Sequence, residues 1–133
     1  MRVIGIDYGL SKSGISISDP SRKIALPYRT IRYKDEKEFF EIILEICSDK
    51  NISDIVIGYP KNMNNDLNQM TDIIDNLKER FENKNFNIFI EDERLTSQYA
   101  QKILLSQGVN TGKNKEKIDL IASTLILQSF LDR

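Results

Sequence analysis

Arg2-Val3-Ile4-Gly5-Ile6-Asp7, followed after a short turn by Gly14-Ile15-Ser16-Ile17-Ser18, decides the fold. The first stretch is a continuous apolar run closed by an acid, the pattern of a strand buried on both faces. The second alternates with period two, as a hairpin partner does, and Tyr8 to Ser13 forms the turn between them. Ile24 to Ile31 reads as a third strand. Pro27 within it argues for the sheet edge, because proline cannot donate to a ladder. Three antiparallel strands in a meander result.

Downstream the pattern changes. Phe39, Phe40, Ile43, Leu44, Ile46 and Cys47 recur at helical spacing, and Asp54 to Gly58 follows as a short apolar strand. Leu67, Met70, Ile73, Ile74, Leu77 and Phe81 mark one face of a helix over 64–82, and Phe86 to Ile90 reads as strand five. Two more helices follow, Ser97 to Gln107, stopped by Gly108, and Lys115 to Leu131. A meander followed by two strand–helix–strand crossovers makes a five-stranded mixed α/β sheet with strand one central, order 3-2-1-4-5, and flanking helices. At 133 residues and 40% hydrophobic content, the whole of 1–133 is expected to be one domain.

Composition narrows the chemistry. The chain contains no histidine, which removes Ser-His and Cys-His nucleophile pairs and the usual imidazole ligands of zinc. The lone cysteine, Cys47, lies in the apolar stripe of a helix and reads as a core thiol. Carboxylates remain, and they suit hard cations such as Mg²⁺ or Mn²⁺. No apolar run approaches the roughly 18 residues a membrane span needs, and the N-terminal residues carry no cleavage-site pattern, so a cytoplasmic protein is expected. A net charge of -1 gives no overall attraction for a polyanion, so any nucleic-acid site must use local basic loops and bound metal.

Open sheets of this kind place their sites at the carboxyl ends of strands where the order reverses. Asp7 ends strand one there; it can ligate a metal, or hydrogen-bond its own turn. Glu91, Asp92 and Glu93 close strand five, and alternation puts Asp92 opposite to its two neighbours, so only some of them can face Asp7. A solvated strand end or a helix N-cap is the other use open to them. Asp119, early in the last helix, either points to the sheet or serves the helix dipole with Lys115 four residues away. Acids from a first strand, a later strand and a final helix can converge at one sheet edge, where they repel unless cations sit between them. Two divalent ions about 3.5 to 4 Å apart would then support in-line phosphodiester hydrolysis without histidine. Lys12, Arg94, Lys102, Lys113, Lys115 and Lys117 are candidate phosphate contacts, and Tyr8 and Tyr59 candidate stacking residues, although lysines in so charged a chain also serve simply as solvated surface and tyrosines as partial core.

Five ordered motifs carry a resemblance over nearly the whole chain: Gly5-Ile6-Asp7-Tyr8-Gly9 with Gly14, Ser18-Asp19-Pro20, Gly58-Tyr59-Pro60-Lys61-Asn62-Met63, Asp92-Glu93-Arg94-Leu95-Thr96, and Lys117-Ile118-Asp119-Leu120-Ile121-Ala122. The sequence resembles the bacterial YqgF family of pre-16S rRNA nucleases and Holliday junction resolvase-like proteins. The resemblance implies an RNase H-like fold, a divalent-metal-dependent hydrolase, and action on the 5′ end of the small-subunit rRNA precursor. It also implies Asp7, Glu93 and Asp119 as catalytic and metal-holding acids, with Asp92 the rival to Glu93. Pre-rRNA is the expected partner ahead of branched DNA, with ribosomal or transcription factors as further partners and a monomer or weak homodimer as the assembly. Glu91 stands where that family often has an apolar or aromatic residue. Two other readings share these residues. A non-catalytic RNA-binding or transcription-associated module gains nothing from clustered acids. An actin-like ATPase, suggested by Asp7-Tyr8-Gly9 with Gly14, needs two such domains.

Overall fold

The computed structural model describes residues 1–59, 68–92 and 115–133. The elements are β1 (Val3–Asp7), β2 (Lys12–Ser18), β3 (Ala25–Arg32), α1 (Glu36–Lys50), β4 (Asp54–Tyr59), α2 (Asn68–Glu82), β5 (Asn87–Asp92) and α3 (Lys115–Leu131). The sheet order is β3-β2-β1-β4-β5, as the sequence predicts. β1 pairs antiparallel with β2 and parallel with β4, and β5 runs parallel beyond β4. The predicted helix over 97–107 lies outside the described residues.

Strand alternation sorts the core into two layers. Ile4, Ile6, Ile55 and Ile57 point to one face, where Phe39, Ile43, Leu77 and Phe81 of α1 and α2 cover them. Val3 and Val56 point to the other, against Ile126 and Leu127 of α3. Each fully buried side chain of this size removes apolar surface worth roughly 1.5–3 kcal/mol, which is why β1, covered on both sides, is a continuous apolar run. The first helix starts where Asp35, in extended conformation, accepts a hydrogen bond from the Glu38 N–H at 2.8 Å, and it ends at Asn51 in the left-handed region with φ 58°. Arg80 of α2 lies over the Phe40 ring at 4.3 Å, linking the two helices of that layer.

α3 is held by polar as well as apolar contacts. Ser16 donates to the Ser123 carbonyl at 2.8 Å, and the Gln128 side chain accepts from Ala25 N–H while donating to the Lys23 carbonyl. β3 lies at the edge, as Pro27 predicts, and the β2–β3 register shifts between Ile15 and Ser16 beside that proline. The largest differences from the sequence reading are at β2, which starts at Lys12 rather than Gly14, and at β5, which runs to Asp92 rather than Ile90; the other strand ends that differ do so by one residue. The cause in β5 is the ladder itself: Gly58 pairs with Glu91 and Tyr59 with Asp92, so backbone pairing carries polar residues into the strand. Among the described residues no helix is long and apolar enough to cross a membrane.

Candidate active site

Asp7 is the last residue of β1 and faces the α3 side, because Ile4 and Ile6 take the other face. Its partner across the ladder is Gly14. That glycine matters because a β-carbon there would lie 2.1 Å from the Asp119 carbonyl oxygen. The first turn of α3 therefore rests directly on the β2 backbone next to Asp7. Gly5 does the same one turn further along, under Ser123 and Leu127. Asp7 and Asp119 consequently line one pocket of about 420 Å³, together with Tyr8, Gly9, Lys12 and Met70. The Lys12 ammonium stands 3.7 Å from the Asp119 carboxylate, with both side chains about one-fifth exposed, and offsets part of the repulsion between the two acids.

The turn that floors this pocket is fixed from below. Gly9 N–H donates to Ser13 Oγ at 3.3 Å, the Ser13 hydroxyl lies 2.6 Å from the Tyr33 hydroxyl, and Tyr33 donates to the Gly9 carbonyl. Tyr33 N–H also donates to the Ser11 carbonyl at 3.1 Å. Burial pushes the Tyr33 phenol well above its ordinary range, so the hydroxyl stays protonated and the network keeps its donor. Tyr8 stacks parallel to Tyr33 and meets Phe39 edge-on. It is only 7% exposed, so of the two uses open to Tyr8, base stacking or core, the structure takes the second: its ring is core. Tyr59 packs against the α1–α2 layer, half-buried, with its hydroxyl donating to Asp75 at 3.5 Å.

The acids at the end of β5 separate. Asp92 pairs with Tyr59 and so belongs to the α1–α2 face, opposite to Asp7. Glu91, on the α3 side, is buried at 4% exposure and forms an ion pair with Arg133; its second oxygen has no hydrogen-bond partner among the described residues. It is not the solvated strand-end acid that its sequence neighbours suggest. Glu93, Arg94, Lys102 and Lys113 lie outside the described residues, as does the side chain of Lys115. Lys117 is exposed, and Cys47 is buried, its thiol pushed up to about 12 by desolvation, as expected of a core cysteine. The residues missed by the sequence reading are Ser13 and Tyr33. Ser13 reads as the last residue of the turn and carries no signal of its own until β2 is seen to start at Lys12, while Tyr33 becomes informative only once β3 is placed beside β2.

Among the described residues no cluster of three or more acids or cysteines gathers around one point. The described contribution is the pair Asp7 and Asp119 in one pocket with a lysine on its rim. A sheet of order 3-2-1-4-5 with a strand-end acid on β1 and a second acid from the helix packed over it defines a protein of RNase H-like fold. The RuvX family model, described as Holliday junction resolvase, matches residues 1–133, and the chain belongs to that family, the one also called YqgF. It is 38% identical over 137 residues to a protein of Thermoanaerobacter pseudethanolicus (strain ATCC 33223 / 39E) named "Putative pre-16S rRNA nuclease", covering 99% of this chain and 96% of that one. A Clostridium perfringens (strain SM101 / Type A) protein of the same name is 37% identical, covering 100% and 98%. Two solved structures share the fold at low identity. T. thermophilus RuvC in complex with a Holliday junction substrate has a TM-score of 0.63 at 14% identity, covering 100% of this chain and 95% of that one. The Fowlpox virus resolvase in complex with Holliday junction DNA has 0.61 at 11%, covering 99% and 97%.

Proposed function

We propose that this protein is a divalent-metal-dependent nuclease that hydrolyses phosphodiester bonds in 5′-end processing of pre-16S rRNA in the cytoplasm, with 1–133 as one nuclease domain. The observation that carries the reading is the shared pocket of Asp7 and Asp119 at the carboxyl end of β1. The relatives' names supply the substrate. The catalytic and metal-holding acids of the proposal are Asp7, Glu93 and Asp119. Asp92 is the weaker choice, since its strand position puts it on the face away from Asp7.

The donor set fits Mg²⁺ or Mn²⁺: two carboxylates with only oxygen donors, one-fifth exposed at Asp119 and next to a glycine-floored turn. A bound pair of such ions would acidify a water and stabilise the departing oxygen. The protein's own groups do the rest. Asp7 and Asp119 would hold the cations, and the Ser13–Tyr33–Gly9 network keeps the pocket floor from shifting. Lys12, 3.7 Å from the Asp119 carboxylate, offsets part of its charge and would serve as a phosphate contact at the pocket rim. Arg94, Lys113 and Lys115 are the further phosphate contacts of the proposal.

A second reading, cleavage of four-way DNA junctions, is favoured by the family description and by the resolvase fold. The deciding experiment incubates precursor 16S 5′-leader RNA and a four-way DNA junction with wild type and Asp7→Asn, each with Mg²⁺, Mn²⁺ or EDTA. Metal-dependent cutting of the RNA, lost in Asp7→Asn at unchanged melting temperature, is the expected result. Cutting of the junction alone makes the protein a resolvase. A folded Asp7→Asn protein with undiminished cleavage removes Asp7 from the site, and no cleavage of either substrate leaves a binding module.

A further inference from the structure

Away from the acidic pocket, a groove of about 660 Å³ runs between the edge strand β3 and helix α1, walled by Tyr28, Arg29 and Arg32 on one side and Glu45, Asp49 and Lys50 on the other. Tyr28 is 40% exposed. It is the residue left over where the ladder slips, since Ser16 pairs with Pro27 and Ile15 with Arg29. Such irregularities re-aim side chains. Two cations border the Tyr28 ring, the Arg29 guanidinium at 5.5 Å from its centre and the Lys50 ammonium at 5.1 Å. Arg32 pairs across the ladder with Lys12, which lines the acidic pocket. Alternation sets Arg32, beside Lys12, toward the α3 face and Arg29, beside Ile15, toward the α1 face, so positive charge passes from the rim of that pocket around the open sheet edge, across three residue steps of β3, about 10 Å.

We infer that this groove is the track for the unpaired nucleic-acid strand flanking the cleaved phosphate, with Tyr28 as a base-stacking platform and Arg29, Arg32 and Lys50 as phosphate contacts. The inference rests on the nuclease reading above and names where that substrate lies. An exposed aromatic ring beside cations suits a strand of any sequence, because every base has a face to stack. A base stacked on tyrosine outweighs an exposed cation–ring contact, so it displaces Lys50, whose ammonium is then in reach of the adjoining phosphate. Glu45 and Asp49 repel phosphates from the α1 wall. They orient the strand with its backbone along β3 and its base edges toward α1, where carboxylates accept from exocyclic amino groups. A peptide adding to the same edge is disfavoured, since Pro27 offers no N–H to continue a ladder.

The test is fluorescence anisotropy with a fluorescein-labelled single-stranded leader RNA, using wild type, Tyr28→Ala, Tyr28→Phe and Arg29→Gln, with each fold checked by its melting curve. Tyr28→Ala is expected to bind about tenfold more weakly, Tyr28→Phe close to wild type and Arg29→Gln severalfold more weakly. Wild type and a folded Tyr28→Ala protein binding with equal affinity overturns the track while leaving the nuclease reading intact. A wild type that binds no nucleic acid overturns both.

Discussion

Gly14 sets how closely the last helix approaches the sheet, and through it where Asp119 stands. The atoms a β-carbon would meet are the Asp119 carbonyl oxygen at 2.1 Å and carbonyl carbon at 2.5 Å. These are backbone atoms that cannot rotate away, so Gly14→Ala must lift the first turn of α3. Overpacking of this kind costs about 1–3 kcal/mol. We expect Gly14→Ala to lower unfolding stability by that amount, read as a lower urea midpoint at unchanged slope, and to depress cleavage further than Gly5→Ala does, because Gly5 meets Leu127 and Ser123, away from the acids. Equal losses of activity in two equally destabilised variants would separate Gly14 from the site. The sequence showed Gly14 as part of a motif but not its purpose, because the residue it accommodates lies near the other end of the chain. Asp7 was legible from its position after an apolar strand. Between base stacking and core, Tyr8 was left open by the sequence because its burial depends on Tyr33 and Phe39, both later in the chain.

Among the elements, α1 is the one whose limits are written most plainly in the chain. Its apolar stripe was readable from Phe39 to Cys47, and all of Phe39, Phe40, Ile43, Ile46 and Cys47 are buried. Its start is fixed by one side chain, Asp35, which satisfies the Glu38 N–H and also adds negative charge at the helix N-terminus. Replacing Asp35 by Ala should cost about 1 kcal/mol, read as a lower urea midpoint with the slope unchanged, and Asp35→Asn should recover most of it. Loss of stability equal in both variants would mean that the charge, and not the cap, carries the effect. β5 was less legible. Its core residues Ile88 and Ile90 announce a strand, but the continuation through Glu91 and Asp92 follows from pairing with β4. Propensity alone ends a strand at such acids. That extension matters for the site, since it assigns Asp92 to the face with Tyr59 and leaves Asp7 on the other.

At the scale of the whole molecule, the order 3-2-1-4-5 was readable because each step has a local cause: alternation for the hairpin, Pro27 for the edge, helical spacing for the crossovers. Convergence of Asp7 with Asp119 then follows from a last helix laid over the central strand. The electrostatics follow from composition in the same way. With a net charge of -1 and a pI near 5.5, the protein has no general attraction for a polyanion, so binding must come from a few placed cations. Those along the proposed path are Lys12, Arg32, Arg29 and Lys50. For single strands each neutralised phosphate contributes about -0.7 to the slope of log K against log salt. Four cations, with Lys12 partly committed to Asp119 and Arg32 also partnered within the protein, predict a slope between roughly -1.5 and -3. Anisotropy titrations of the labelled leader RNA across a KCl series should return that shallow value, and Arg29→Gln should reduce its magnitude by somewhat less than one. A much steeper slope would require a basic surface larger than the β3 path supplies, whereas a slope near zero would leave stacking alone to hold the strand.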